Sequence, residues 1–388
     1  MKTIEATQEY IAGSYARFPV TFVRGEGCHL WDENGSKYID MGSGIAVNAL
    51  GYGDKAWEKA VCEQAVKLAH ASNLYYTKPQ AKLAKLLCER TGLSKVFFSN
   101  SGAESNECAI KVARKYAADK YGEGARPVIV TLENSFHGRT LATLAATGQD
   151  AFHHSFGPFP EGFVYAKPGD IAGLERIFAE NAVCGMLLEA VQGEGGVTPL
   201  DVGYVQAARA LCDAHDALLM ADEVQSGNGR TGKLFAYMHY DVLPDVVSTA
   251  KALAGGLPMG ATLLGEKVAE TLTPGSHAST FGGNPVCAAA ALAVQERLTD
   301  ELLADVLTKG EYITAQLSGA KHVRSITGKG LMLGIETDKD ARQLVAALLA
   351  RGVVTLTAKA KLRLLPPLTI SHKALAKAVA IIKEEIEK

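Results

Sequence analysis

The chain has 388 residues, 47% of them hydrophobic, with 40 basic against 42 acidic side chains and a formal charge of −2 at neutral pH. That length and apolar content supply a large core in two or three domains, and the near-balanced charge offers no general attraction to nucleic acid or to an anionic membrane surface. Small molecules and further copies of the chain are the expected partners.

From the N-terminus, residues 1–9 lack the apolar stretch of a signal peptide, and no run approaches the roughly 18 apolar residues that cross a bilayer. Residues 20–24 and 29–40 read as an antiparallel meander turning at Asn34-Gly35. Apolar strand candidates at 96–98, 128–132, 186–189, 218–221, 246–249 and 261–264 alternate with helical spacing at 103–118, 174–178 and 205–214. That alternation predicts an α/β sheet with many parallel strands. The last hundred residues return to a mixed pattern with a helix over 373–387. A large central α/β domain at 46–288 is expected, with a small α+β domain assembled from 1–45 and 289–388. The seven cysteines are scattered, with no Cys-x-x-Cys spacing, so neither a disulfide framework nor a zinc site is expected. A reducing, cytoplasmic location fits best.

Three places in this frame carry chemistry. Lys251 follows the β-rich run 246–250 and precedes a tract, 252–258, that reads as flexible, so one amine sits at the mouth of a sheet. The run 218–221 delivers Asp222 and Glu223 to a similar edge. An amine and a carboxylate at strand ends suit a pyridoxal phosphate enzyme: lysine can bond to the cofactor's aldehyde, and an aspartate opposite the pyridine nitrogen keeps that nitrogen protonated. After strand 96–98, the turn Ser99 to Glu107 opens a helix through Gly102 and Ala103, where backbone N–H groups and the helix dipole can hold a phosphate. After strand 128–132, Phe136 can stack on an aromatic ring and Arg139 can receive a carboxylate. Taken singly, each also has an ordinary structural reading, as a surface lysine, a turn, a core phenylalanine or a solvated arginine.

Two patterns point elsewhere. Gly227-Asn228-Gly229-Arg230-Thr231-Gly232 matches a dinucleotide fingerprint and, with Lys233, nearly a P-loop. No good helix opens behind it, and Leu234 stands where a P-loop needs Ser or Thr on magnesium. His153-His154 is no metal pair, because adjacent residues point in different directions and no acidic or cysteine partner lies at ligand spacing.

The pieces occur in one order: Ser101-Gly102-Ala103-Glu104, Phe136-His137-Gly138-Arg139, 189–196, Asp222-Glu223-Val224-Gln225, Lys251, and Ser279-Thr280-Phe281-Gly282-Gly283-Asn284-Pro285. This succession closely resembles the class III pyridoxal-phosphate aminotransferases over nearly the whole chain. Within that family, 24–27, 44–51, 73–77 and 362–368 are most similar to the members that transaminate N-acetylornithine with 2-oxoglutarate. The resemblance implies the fold type I aminotransferase architecture and a homodimer with active sites at the subunit interface. It also implies ping-pong kinetics with pyridoxal 5'-phosphate. Enzymes for ornithine, succinylornithine, 4-aminobutyrate or N-succinyldiaminopimelate would share every cofactor residue and differ in pocket shape.

Carried over by motif, Lys251 bonds the cofactor and shuttles the proton. Asp222 partners the pyridinium, Gln225 lies near the ring's phenolic oxygen, and Phe136 stacks on the ring. Gly102 and Ala103 hold the phosphate, which Thr280 reaches from the neighbouring subunit. Arg139 binds a substrate carboxylate with Ser279 close by. Glu189 is a second candidate carboxylate near the reacting centre, with a structural role equally open. Glu194 would mask Arg363 in one half-reaction and swing away when 2-oxoglutarate enters; a permanent ion pair is the other reading. The chain departs from the family at Ala190, at 51–54 and in the lysine-rich 357–361 before Arg363.

Overall fold

The structure, a computed structural model, describes residues 2–388. Seven strands form the central sheet in the order Lys95–Ser99, Gly260–Leu264, Val246–Thr249, Leu218–Asp222, Val183–Leu188, Val128–Leu132, Phe163–Ala166. Gly260–Leu264 runs antiparallel to both neighbours, and the other six strands share one direction. Every residue of Val183–Leu188 and Leu218–Asp222 is buried, as continuous apolar runs must be when helices cover both faces of a sheet. Val130, Leu132, Met186, Leu188 and Leu219 pack with Leu174, Phe178, Val205 and Ala208 of helices Ile171–Glu180 and Val202–Ala214. Ile129, Leu187, Leu218 and Met220 face the other way, toward helix Gly102–Tyr121. This is the α/β architecture expected from the alternation of elements.

The two ends of the chain meet in smaller sheets. The meander Phe22–Glu26, His29–Asp32, Lys37–Asp40 turns at Asn34-Gly35, where Gly35 takes φ +82° and Asp32 Oδ1 accepts from the amides of Asn34 and Ser36. Its last strand pairs in parallel with Val353–Val354 from the C-terminal region. A second sheet orders Val323–Lys329, Met332–Thr337, Lys361–Leu364 and Leu356–Ala358.

Two expectations change. Phe163–Ala166 is a strand that the apolar pattern did not reveal, because it lies at the sheet edge with Tyr165 exposed. The first part of the tract read as flexible, 252–254, is buried in the 3-10 turn Lys251–Ala254, whereas 255–258 form an irregular and partly exposed loop. The small apolar side chains of the turn fit beneath Trp57, whose indole N–H donates to the Ala254 carbonyl at 2.9 Å.

Candidate active site

All five parallel strands that deliver candidate residues deliver them to one edge. Gly102 and Ala103 follow Lys95–Ser99, Phe136 and Arg139 follow Val128–Leu132, and Glu189 and Glu194 follow Val183–Leu188. Asp222 and Gln225 follow Leu218–Asp222, and Lys251 follows Val246–Thr249, where Asp222 pairs in register with Ser248. The crevice outside the carboxyl ends of the strands is where open α/β sheets bind ligands.

Asp222 is buried and held rigidly. Its Oδ2 accepts from Asn106 Nδ2 and His137 Nδ1, each at 2.7 Å, and its Oδ1 accepts from the Val224 amide at 3.0 Å. Asn106 is fixed in turn, donating to the His137 carbonyl at 2.8 Å and accepting from Ser248 Oγ at 2.5 Å. With Nδ1 donating to the carboxylate, His137 Nε2 is left buried without a partner. Neither Asn106 nor His137 was singled out from sequence. Asn106 did leave a trace, as a polar residue on the helical stripe it shares with Ala109, Ile110 and Ala113, where burial demands a partner.

Lys251 takes φ +43°, a left-handed conformation that is costly for a residue with a Cβ. Burial lowers the pKa of its amine; Glu194 and Asp222 oppose that shift, Arg363 adds to it, and Glu189 opposes it more weakly. The net direction is downward, toward an amine that can accept a proton.

Glu189 is fully occupied by backbone: Oε1 accepts from the Phe136 amide at 2.8 Å and Oε2 from the Gly193 amide at 3.1 Å. Burial pushes its pKa up to about 7. The carboxylate therefore ties the loop carrying Phe136 to the loop carrying Glu194.

Glu194 and Arg363 form an ion pair, Nη1 to Oε1 at 2.5 Å. Gln225 completes it, accepting from Arg363 Nη1 at 3.0 Å and donating to Glu194 Oε1 at 3.2 Å. The partners are unequally buried: the Arg363 side chain is 4% exposed and that of Glu194 29%. Burial raises the Glu194 pKa, Arg363 lowers it, and the result lies below the usual carboxylate range. Arg363 Nε is buried with no partner.

Gly102 and Ala103 open helix Gly102–Tyr121, where the first amides have no intrahelical acceptor. Ser101 Oγ caps the Glu104 amide at 3.2 Å, and Glu104 reaches back to the Asn100 amide at 2.6 Å. A Cβ on Gly102 would stand 2.5 Å from Val224 Cγ1, so glycine is what lets this helix end approach the Asp222 strand. Phe136 is half-buried, edge-on to Phe152 with centroids 6.0 Å apart. The exposed guanidinium of Arg139 lies 4.7 Å from the Phe136 centroid and 4.0 Å from that of Phe152, with no ion-pair partner among the described residues. Ser279 Oγ accepts from Asn100 Nδ2 at 3.2 Å, beside the helix opening. Thr280 is exposed, facing a surface cavity of about 790 Å³ that it shares with Leu74 and Tyr76.

Glu223, next to Asp222, is turned away from this edge, accepting from the Tyr237 amide and Ser226 Oγ, each at 2.7 Å. Burial pushes its pKa from 4.5 up to about 7. A carboxyl raised in the folded state stabilises the fold fully below pH 4.5, and that contribution is lost as pH climbs through 7. The loss corresponds to on the order of 3 kcal/mol at 1.36 kcal/mol per unit. Glu223→Gln is therefore expected to flatten the fall in Tm between pH 4.5 and 8; a variant with the same slope as wild type would show that Glu223 is ionised throughout.

Residues 10–386 match the aminotransferase class-III family. The chain is 52% identical to the acetylornithine aminotransferase of Haemophilus ducreyi, over 97% of this chain and 96% of that one. It superposes on the N-acetylornithine aminotransferase of Stenotrophomonas maltophilia K279a with a TM-score of 0.86 at 36% identity, covering 99% of this chain and 98% of that one. A Toxoplasma gondii ornithine aminotransferase, with PLP in partial occupancy at its active site, gives a TM-score of 0.94 at 30% identity, covering 99% and 93%.

Proposed function

We propose a reaction for this chain, which belongs to the class-III aminotransferase family: transfer of the terminal amine of N-acetylornithine to 2-oxoglutarate, giving N-acetylglutamate 5-semialdehyde and glutamate. The observation that carries it is the Glu194–Arg363 pair set among the charges that act on Lys251. One site must take a long substrate with an acylated α-amine and then a short dicarboxylate, and a cation that can be covered or bared answers that demand.

The cofactor is pyridoxal 5'-phosphate, and the edge of the sheet fits it. The open amides of Gly102 and Ala103 would hold the phosphate, in a cradle that a Cβ at Gly102 would close. Asp222 would hold the ring nitrogen, Phe136 would cover a face of the ring, and Lys251 would bond the aldehyde. When bound, the cofactor supplies the carbonyl that captures the substrate amine and the ring that draws electrons from the adjoining carbon. Lys251 Nζ, its basicity reduced by burial, would take the proton from that carbon and deliver it to the cofactor's former aldehyde carbon, on the far side of the transferred nitrogen. Asn106 and His137 keep the Asp222 carboxylate from turning. Arg139, unpaired and resting on Phe136, is free to take the substrate's distal carboxylate.

With Glu194 in place, Arg363 presents little charge and the donor's aliphatic chain is tolerated. With Glu194 withdrawn, Arg363 receives the α-carboxylate of 2-oxoglutarate or glutamate. The greater exposure of Glu194 supports it as the moving partner. Glu194→Gln is expected to change the two half-reactions unequally, tightening glutamate relative to N-acetylornithine by about 10-fold or more, the scale of one hydrogen bond to a charged group. Equal effects on both would mean a permanent pair.

The exposed Leu74 and Tyr76 line the cavity that Thr280 faces, the exposed Phe281 follows it in the chain, and Asn73 Nδ2 binds these loops together through the carbonyls of Ser279 and Gly282 at 2.9 Å. That apolar rim supports a homodimer in which Thr280 serves the neighbouring subunit's phosphate. No described helix is long and apolar enough to cross a membrane, and seven free cysteines suit the cytoplasm. The test is glutamate formation from N-acetylornithine and 2-oxoglutarate, beside free ornithine, N-succinylornithine and 4-aminobutyrate. A clear preference for one of the other donors would overturn the substrate and keep the reaction.

A further inference from the structure

The loop 227–232, which mimics a nucleotide fingerprint, has another use. Its glycines admit core side chains: a Cβ on Gly229 would meet Leu368 at 2.9 Å, and one on Gly232 would meet Leu307 at 2.4 Å. That packing sinks Arg230 until it is 1% exposed. A buried cation is costly unless hydrogen-bonded, and among the described residues the attractive charge acting on this one is Asp40, whose own carboxylate is engaged by the Gly42 and Ser43 amides and Tyr52 Oη, each at 2.8 Å.

What Arg230 holds is the end of a β-ladder. Strand Met332–Thr337 pairs antiparallel with Lys361–Leu364, setting Gly334 opposite Arg363 and Leu333 opposite Leu364. Continuing that register brings Leu331 opposite Pro366. There the ladder ends: Gly330 and Leu331 turn the chain back into strand Val323–Lys329, and Pro366 has no N–H to give to the Leu331 carbonyl. Arg230 Nη1 takes over both acceptors, donating to Leu331 O at 3.1 Å and Pro366 O at 2.5 Å. Its own carbonyl accepts the Leu331 amide at 3.0 Å. A second buried cation, Lys309, donates to Leu368 O at 2.8 Å on the same segment. The stretch that follows Arg363 is thus clamped by cations.

We infer that Arg230 is a positioning residue for Arg363: it closes the ladder that carries Arg363 and so sets how the site receives a dicarboxylate, without touching substrate. This rests on the reading of Arg363 as the receptor of an α-carboxylate. A purely structural Arg230 would weaken everything alike, whereas a positioning Arg230 acts selectively on ligands that need Arg363.

The test uses the cofactor-loaded enzyme and three readouts: the dissociation constant of glutarate by calorimetry, and the first half-reactions with glutamate and with N-acetylornithine. Both half-reactions start from the same form of the enzyme. Arg230→Met is expected to weaken glutarate and glutamate by about 10-fold to 100-fold while changing the N-acetylornithine half-reaction less than about threefold. In an Arg363→Gln background the same change should add nothing further to the loss of glutarate. Arg230→Lys, which keeps a cation that can donate to the carbonyls, guards against misfolding and should show a smaller loss with the same selectivity. Equal losses for both amine donors, or glutarate binding unchanged in both variants, would overturn the inference. If wild type refuses N-acetylornithine, the substrate reading fails by itself, and the comparison runs with the ω-amine donor it accepts. If Arg363→Gln leaves glutarate binding untouched, the assignment of Arg363 falls and this inference with it.

Discussion

Lys251→Ala is expected to lower kcat by about 10³-fold or more, since positioned proton transfer alone contributes about 10²–10⁴-fold and the variant also loses its covalent hold on the cofactor. The amine is singular on its edge: the other cation there, the buried Arg363, is a guanidinium with no acceptor to offer. Lys251→Arg should for that reason be as inactive as the alanine variant. Small primary amines added to Lys251→Ala should restore part of the rate, whereas they cannot help a protein that has merely misfolded. Removing the lysine should also stabilise the fold, because it sits at φ +43° in a burial that lowers its basicity. Lys251→Gly, which relieves the left-handed strain, should unfold at a higher Tm than wild type without cofactor, on the order of 1 kcal/mol more stable. A variant with wild-type kcat, or one that loses both activity and stability, would show that the lysine is part of the scaffold.

The sequence disclosed the ends of strands better than what lies beside them. Lys251 and Asp222 were legible because apolar runs of strand length stop abruptly at a charged residue, and the carboxyl ends of parallel strands converge. Glu194 and Arg363 stand 169 positions apart and were legible only through the resemblance, since no local pattern pairs residues at that range. The His137–Asp222 bond spans 85 positions and escaped notice for the same reason, although His137 lies inside a motif already singled out. Residues 252–254 of the tract read as flexible are packed inside; small residues mark mobile loops and tight interior packing alike, and the Trp57 contact separates the two. Arg230 went unassigned for a related reason. A glycine-rich loop signals close approach, and the sequence does not say whether a phosphate or a core leucine is what comes close.

The second large effect should follow from Asp222→Asn. The native carboxylate accepts two bonds at Oδ2 and one at Oδ1, so every neighbour presents a donor to it. An amide must turn its NH2 either toward Asn106 and His137 or toward the Val224 amide, and each choice sets donor against donor. The variant thus loses both the charge that keeps the ring nitrogen protonated and the orientation of the group supplying it. Loss of one preorganised electrostatic contact costs about 10²–10³ in kcat, and that is the expected fall here, together with weaker retention of pyridoxal phosphate on dialysis. His137→Phe, which removes one donor and keeps the charge, separates the two contributions. It should lower kcat less than Asp222→Asn does, because Asn106 and Val224 still hold the carboxylate. An Asp222→Asn enzyme within tenfold of wild type, with the cofactor held as tightly, would mean that the ring nitrogen finds its partner elsewhere. His137, whose Nε2 is buried with its lone pair unused, would then be the group to replace next.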